Sequence, residues 1–139
     1  MIRLHFVVAL FGEAASLISH YRLQPICGQS NFRVYERDHV RLIVSGVGKI
    51  KSAQAVSFLQ SISQSRDGAW FNVGIGGHRR LAIGSSVLAH KITDSSAIKS
   101  WYPQILFKPP CQTASVTTVG QVERTYANDS VYEMEAAGF

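Results

Sequence analysis

The sequence predicts an α/β domain, a three-layer sandwich around a mixed, mostly parallel sheet. Two observations predict it. Short apolar, β-rich runs alternate with segments of helical period, and glycine turns stand where the runs end. The clearest unit is Val40 to Leu59, VRLIVSGVGKIKSAQAVSFL. Val40, Leu42, Ile43 and Val44 suit a strand buried on both faces. Ser45-Gly46-Val47-Gly48 is a tight turn whose glycines accept angles closed to other residues. From Lys49, the residues Ala53, Val56, Leu59 and Ile62 recur at helical spacing and are expected to form the buried face.

The remaining elements follow in order. Leu4 to Leu10 reads as the first strand and Phe11-Gly12-Glu13 as a turn. Ala14 to Tyr21 reads as a helix burying Ala15, Leu17 and Ile18. Pro25 and Gly28 break the stretch from Gln24 to Ser30. Phe32 to Glu36 and Val40 to Val44 flank Arg37-Asp38-His39 as a hairpin. After a helix ending near Gln64 and a loop at Arg66-Asp67-Gly68, Ala69 to Val73 is a strand that runs into Gly74-Ile75-Gly76-Gly77. Ser86 to Ile92 is another strand. Ser95 to Pro110 reads as a long surface loop and Ala114 to Thr118 as β-rich. Val119 to Asp129 is polar and loop-like or weakly helical, Ser130 to Tyr132 is a last short strand, and Glu133 to Ala137 opens a helix.

A chain of 139 residues suits one domain, residues 1–139, with a genuine core. The net charge of +5 and pI near 9.5 come from scattered basic residues with no interleaved aromatic run, so no nucleic-acid partner is expected. Cys27 and Cys111 form no C-x-x-C pair; free thiols are the default, with a disulfide between them the alternative. No metal and no cofactor are expected. The basic, apolar start hints at a signal peptide, but its run ends at Glu13 and reads better as a buried strand. No stretch is long enough to span a membrane.

The SGVGK turn is not a Walker loop, which needs Gly and Ser or Thr where Ile43 and Ile50 stand. It is not a dinucleotide fingerprint either, because Lys51 occupies the third glycine position. It serves as a structural link or as a ligand loop at a helix start, where free N–H groups favour anions. His78-Arg79-Arg80 is read as a phosphate ligand or an exposed basic run. Ligands in such folds sit at the carboxyl ends of strands. Glu13, Ser45 to Gly48, Gly74 to Gly77 and Glu133 to Glu135 all fall at such ends.

The order SGVGK, GIGG, LAIGSSVLA and VYEMEAAGF across nearly the whole chain resembles the nucleoside phosphorylase and nucleosidase superfamily. The likeness is strongest to the 5′-methylthioadenosine/S-adenosylhomocysteine nucleosidase branch. It departs from the family at Gly84-Ser85-Ser86-Val87, where an Asp usually follows the glycine, and at His78-Arg79-Arg80. The resemblance implies a nucleoside phosphorylase-like fold and cleavage of the purine–ribose bond by water or phosphate, in cytoplasmic nucleoside salvage. It implies Met134 and Glu135 at the ribose, and Ser45, Gly46 and Gly48 beside the attacking water or phosphate. Gly74, Ile75, Gly76, Gly77 and Glu133 would lie at the base. Glu13 would be catalytic unless that position falls on Ala14. Expected partners are a purine nucleoside, phosphate in the phosphorylase case, and further copies of the chain. The family continues past the M-E helix into a strand and an acid loop, so the chain is expected to be an incomplete form. The alternatives are a non-catalytic nucleoside- or purine-binding module of the same fold, and an unrelated α/β domain that binds another anion.

Overall fold

The computed structural model describes residues 2–26, 31–63 and 68–139. The chain forms two compact units, one running up to Gly74 and including Gly138–Phe139, the other spanning Ile75–Ala137.

The first unit is built on a five-stranded sheet. Its elements are β1 (Arg3–Val8), α1 (Phe11–Tyr21), β2 (Gln24–Pro25), β3 (Arg33–Arg37), β4 (Val40–Val44), α2 (Lys49–Ile62) and β5 (Gly68–Val73). The strand order is β2-β3-β4-β1-β5. Strands β4 and β5 flank β1 in parallel, and β3 and β2 add on antiparallel. The β3–β4 hairpin is the expected one, with Asp38 in the left-handed region at φ 53°.

Side chains alternate across the strands and feed two cores. Phe6, Val8, Val40 and Leu42 pack with Ala14, Leu17 and Ile18 of α1. Val7, Val34 and Ile43 pack with Ala55 and Leu59 of α2. The sheet is therefore covered on both faces, in three layers.

The helix registers differ from the periodicity reading. In α1 the buried alanine is Ala14, and Ala15 is exposed. Helix α1 also begins three residues early, because the Glu13 carboxylate accepts the Leu10 backbone N–H at 3.1 Å and caps the first turn. In α2 the buried residues are Ser52, Ala55 and Leu59, while Ala53 and Ile62 are exposed. Small side chains at the contact let the helix lie close to the sheet.

One rung of this sheet is polar. Glu36, Arg41, His5 and Trp70 are register partners across β3, β4, β1 and β5. Arg41 donates from Nε to Glu36 Oε2 at 2.7 Å, and from a guanidinium nitrogen to Ile62 O at 3.2 Å and Ser63 Oγ at 3.1 Å. It thus puts a cation at the carboxyl end of α2, where the helix dipole favours one. His5 is fully buried and stacks on Trp70 with ring centroids 4.3 Å apart. Neither of its ring nitrogens has a hydrogen-bond partner among the described residues.

The second unit is a four-stranded sheet of β6 (Val87–Asp94), β7 (Lys99–Trp101), β8 (Gln112–Thr118) and β9 (Val131–Glu133), in the order β7-β6-β8-β9. Strands β6, β8 and β9 are parallel and β7 is antiparallel. Strand β7 lies inside the stretch expected to be loop. The helix expected from Glu133 is a single 3-10 turn, Ala136–Gly138. Cys111 is a free thiol, and Cys27 lies outside the described residues. No helix among the described residues is long and apolar enough to cross a membrane.

Burial, followed by the charges of Arg41 and Arg3, lowers the His5 pKa from 6.5. The folded state then binds a proton less readily than the unfolded chain. Stability should fall as pH drops below about 6.5 and level off once pH passes the lower folded value. His5→Leu removes two unpartnered buried nitrogens, so it should stabilise the protein by about 1 kcal/mol or more and flatten this acid dependence. Chemical unfolding at pH 7.5 and 5.5 measures both effects.

Candidate active site

In the first unit the carboxyl ends of β4, β1 and β5 lie side by side. The parallel ladder continues past the strands, with Ser45 N–H donating to Val8 O at 2.8 Å and Gly46 N–H to Ala9 O at 3.0 Å. The chain then turns through Gly46 (φ 83°) and Gly48 (φ 107°) into α2. A Cβ at Gly46 would lie 2.9 Å from Cδ of Lys51, whose stem folds back over the turn. Gly48 gives α2 no side-chain cap, and the first turn carries no acidic residue. Ser45 is buried, and its hydroxyl donates to Gly46 O at 2.9 Å.

Glu13 sits in the first turn of α1, just after β1, half-buried. A Cβ at Gly74, just past β5, would lie 4.0 Å from Glu13 Oε1. The first unit therefore gathers Glu13, Ser45, Gly46, Gly48 and Gly74 at one edge of its sheet.

The second unit gathers Ile75, Gly76, Gly77, Glu133, Met134 and Glu135. Gly77 and Tyr132 exchange two backbone hydrogen bonds, of 2.9 and 2.8 Å. Gly76 must be glycine, since a Cβ there would collide with Val131 Cγ1 and press on Tyr132 O. Ile75 is largely exposed.

Glu133 holds the turn that follows β9. Its Oε2 accepts the backbone N–H groups of Glu135 at 2.7 Å and Ala136 at 2.8 Å. Its Oε1 accepts the Thr118 hydroxyl at 2.5 Å, and Thr118 Oγ1 accepts from Ala137 N–H at 2.9 Å. Glu135 Oε2 accepts from Met134 N–H at 3.3 Å. The two glutamates thus do different things, Glu133 building the turn and Glu135 turning back to its neighbour's N–H. Burial pushes the Glu133 carboxyl up from 4.5, and its three donors pull it part of the way back.

His78-Arg79-Arg80 is neither a uniformly exposed run nor a row of separate cations. His78 Nε2 lies 3.1 Å from Asp129 Oδ1 and Arg80 2.5 Å from Asp129 Oδ2, while Arg79 is exposed. The bond to Arg80 holds the Asp129 carboxyl below its usual range. Thr118 and Asp129 escaped the sequence reading. Both act through neighbours brought in by strand register, and the only local signal was the Asn128-Asp129-Ser130 turn composition.

Thr118→Val strips Glu133 of one donor and leaves Ala137 N–H unpaired in a buried setting. It should destabilise the protein by about 1–3 kcal/mol and raise the Glu133 pKa further. A raised carboxyl favours the folded state below the unfolded value near 4.5 and loses that contribution as pH rises through the folded value. The variant should therefore extend this loss to higher pH. Unfolding curves and a side-chain NMR titration of Glu133 test both parts.

No family model and no curated protein matches this chain. Solved structures do. Over 99% of this chain and 74% of its own length, the apo 5′-methylthioadenosine nucleosidase of Arabidopsis thaliana superposes with a TM-score of 0.82 at 15% identity. The MTAN of Chlamydia trachomatis gives 0.75 at 20% identity, over 99% and 71% of the two chains. The 5′-methylthioadenosine/S-adenosylhomocysteine nucleosidase of Neisseria meningitidis, solved with methylthio-immucillin-A, gives 0.74 at 16%, over 99% and 78%. The fold of this chain is that of the 5′-methylthioadenosine and 5′-methylthioadenosine/S-adenosylhomocysteine nucleosidases.

Proposed function

We propose that this chain cleaves the N-glycosidic bond of a purine nucleoside, with water as the attacking group. The observation that carries the reading is the Glu133-Met134-Glu135 segment. With Glu133 committed to Thr118 and to the backbone of the turn, the backbone that carries Glu135 is fixed, and Glu135 is the candidate ribose ligand. A carboxylate suits that role because its two oxygens accept from both hydroxyls of a vicinal diol. The likeness in fold to a methylthioadenosine nucleosidase and to an enzyme solved with methylthio-immucillin-A supports a 5′-substituted adenosine as the substrate class.

In this mechanism Met134 packs against the sugar, and Gly74, Ile75, Gly76, Gly77 and the backbone of Glu133 border the base. Ser45, Gly46 and Gly48 lie beside the water. Glu13 takes a proton from that water as its oxygen bonds to C1′. The C1′–N9 bond breaks and its electron pair leaves with the purine. Positive charge develops on the sugar, and fixed carboxylates stabilise it. Glu13 also favours water over phosphate, since a carboxylate accepts a proton from water but repels an anion. The cytoplasmic salvage role and the homo-oligomer that the resemblance implies belong to the same proposal. Exposed Ile98, Tyr102, Leu106 and Phe107 in the second unit support association.

Adenine release from methylthioadenosine, assayed with and without phosphate, tests the reading. Release should not depend on phosphate, and Glu13→Gln should lower kcat by roughly 10²–10⁴-fold while nucleoside binding persists. Glu135→Gln should weaken nucleoside binding by about 1.5–3 kcal/mol and leave free adenine nearly unaffected. Binding without release in any buffer would favour the binding-module reading, and absence of binding would sink both.

A further inference from the structure

The second unit contains a closed ring of contacts that the proposed chemistry does not use. Gly77 and Tyr132 are joined by two backbone hydrogen bonds. The residue after Gly77 is His78, whose Nδ1 accepts the backbone N–H groups of Arg80 and Leu81, each at 3.1 Å. With Nδ1 accepting twice, the ring proton sits on Nε2 and points to Asp129 Oδ1 at 3.1 Å. The other Asp129 oxygen takes the Arg80 guanidinium. Three residues on from Asp129 the chain is back at Tyr132, and the ring is closed.

The loop before β9 is fastened to the same ring. Tyr126 lies on Gly77 so closely that a Cβ there would collide with its hydroxyl. Its ring packs against Tyr132 at 5.5 Å, and Asn128 N–H donates to the Tyr132 hydroxyl at 3.2 Å. His78 is nearly buried, with a side chain 9% exposed, so this is not a freely solvated ion pair. Two segments leave the ring: Gly76 on one side, and Glu133 to Glu135 on the other. These are the base-side and ribose-side residues of the proposed site.

The geometry points to His78, Asp129 and Arg80 as positioning residues, a clamp that fixes the span from Gly76 to Glu135 and so selects an intact nucleoside over its separate base and sugar. The inference rests on the nucleoside reading above. Its physical basis is pre-organisation. A ligand that touches both sides benefits from a fixed span, because the cost of setting that span has been met before binding. Adenine alone or ribose alone touches one side and gains nothing from it.

The test compares the parent with Asp129→Asn, which keeps the shape of an exposed side chain and removes its charge. Arg79→Gln is the control, a one-unit charge change in the same turn outside the clamp. Calorimetry with an adenosine C-nucleoside, whose carbon–carbon glycosidic bond resists cleavage, is set beside adenine and ribose. Asp129→Asn should weaken the C-nucleoside roughly tenfold or more and leave adenine and ribose within about twofold, while Arg79→Gln changes none of the three. Amide exchange in the unliganded protein should also quicken at Gly77 and Tyr132 in Asp129→Asn alone.

Equal weakening of all three ligands would overturn the clamp and indicate a general loss of structure. Unchanged exchange at Gly77 and Tyr132 would overturn it independently of any ligand. A parent that binds no C-nucleoside overturns the nucleoside reading, and the selectivity with it. The exchange result then still decides whether Asp129 holds the ring.

Discussion

Strand β1 has a parallel partner hydrogen-bonded along each edge and a helix packed on each face. Strand β4 is likewise paired on both edges and covered on both faces, but one of its partners, β3, runs antiparallel. The residues of β1 therefore have to satisfy two cores at once, and Phe6 and Val8 serve one while Val7 serves the other. The same constraint sets the edge where candidate residues gather. Because β4 and β5 run parallel to β1, all three end together, and the segments after them turn in one place. Ser45 meets Val8, and Gly74 approaches Glu13, in consequence of strand direction, although these residues stand far apart in the sequence.

The second unit solves a different problem with little hydrophobic material. Its buried side chains include Asp94, Thr118 and Ser130 beside Val116 and Val131. Polar groups in such a setting have to be paired, and they are paired across strands: Thr93 with Ser100, Thr117 with Ser130, Thr118 with Glu133. Hydrogen bonds, which are directional, do here much of what close packing does in the first unit. A turn built on Glu133 is correspondingly well defined in direction, which suits a segment that presents another carboxylate two residues later.

How much of this was legible in the sequence varies with the physics involved. Strands bounded by glycine turns were legible, because β-rich runs and the glycines Gly46 and Gly48 leave few other readings. Both faces of β4 were legible as buried from Val40, Leu42 and Ile43, but nothing marked Arg41 as a buried cation with three partners. The face of α2 was misread because the contact uses Ser52 and Ala55, whose small size matters and whose hydrophobicity does not. Glu135 and the glycine turns were singled out as candidates through motif order. Thr118 and Asp129 were not, since each acquires its role only when β8, β9 and the turn after Gly77 are brought into register.

The guanidinium of Arg41 ends on β3 through Glu36 and on the carboxyl end of α2 through Ile62 and Ser63. Lifting the last turn of α2 from the sheet would strand a nearly buried charge that has lost two of its three partners, a far costlier state than the fraying of an ordinary helix end. The hairpin and the helix are thereby joined in their local opening. A fluctuation that frees one must disturb the other, and the polar rung beneath α2 becomes a point of cooperativity rather than a weak layer in the core.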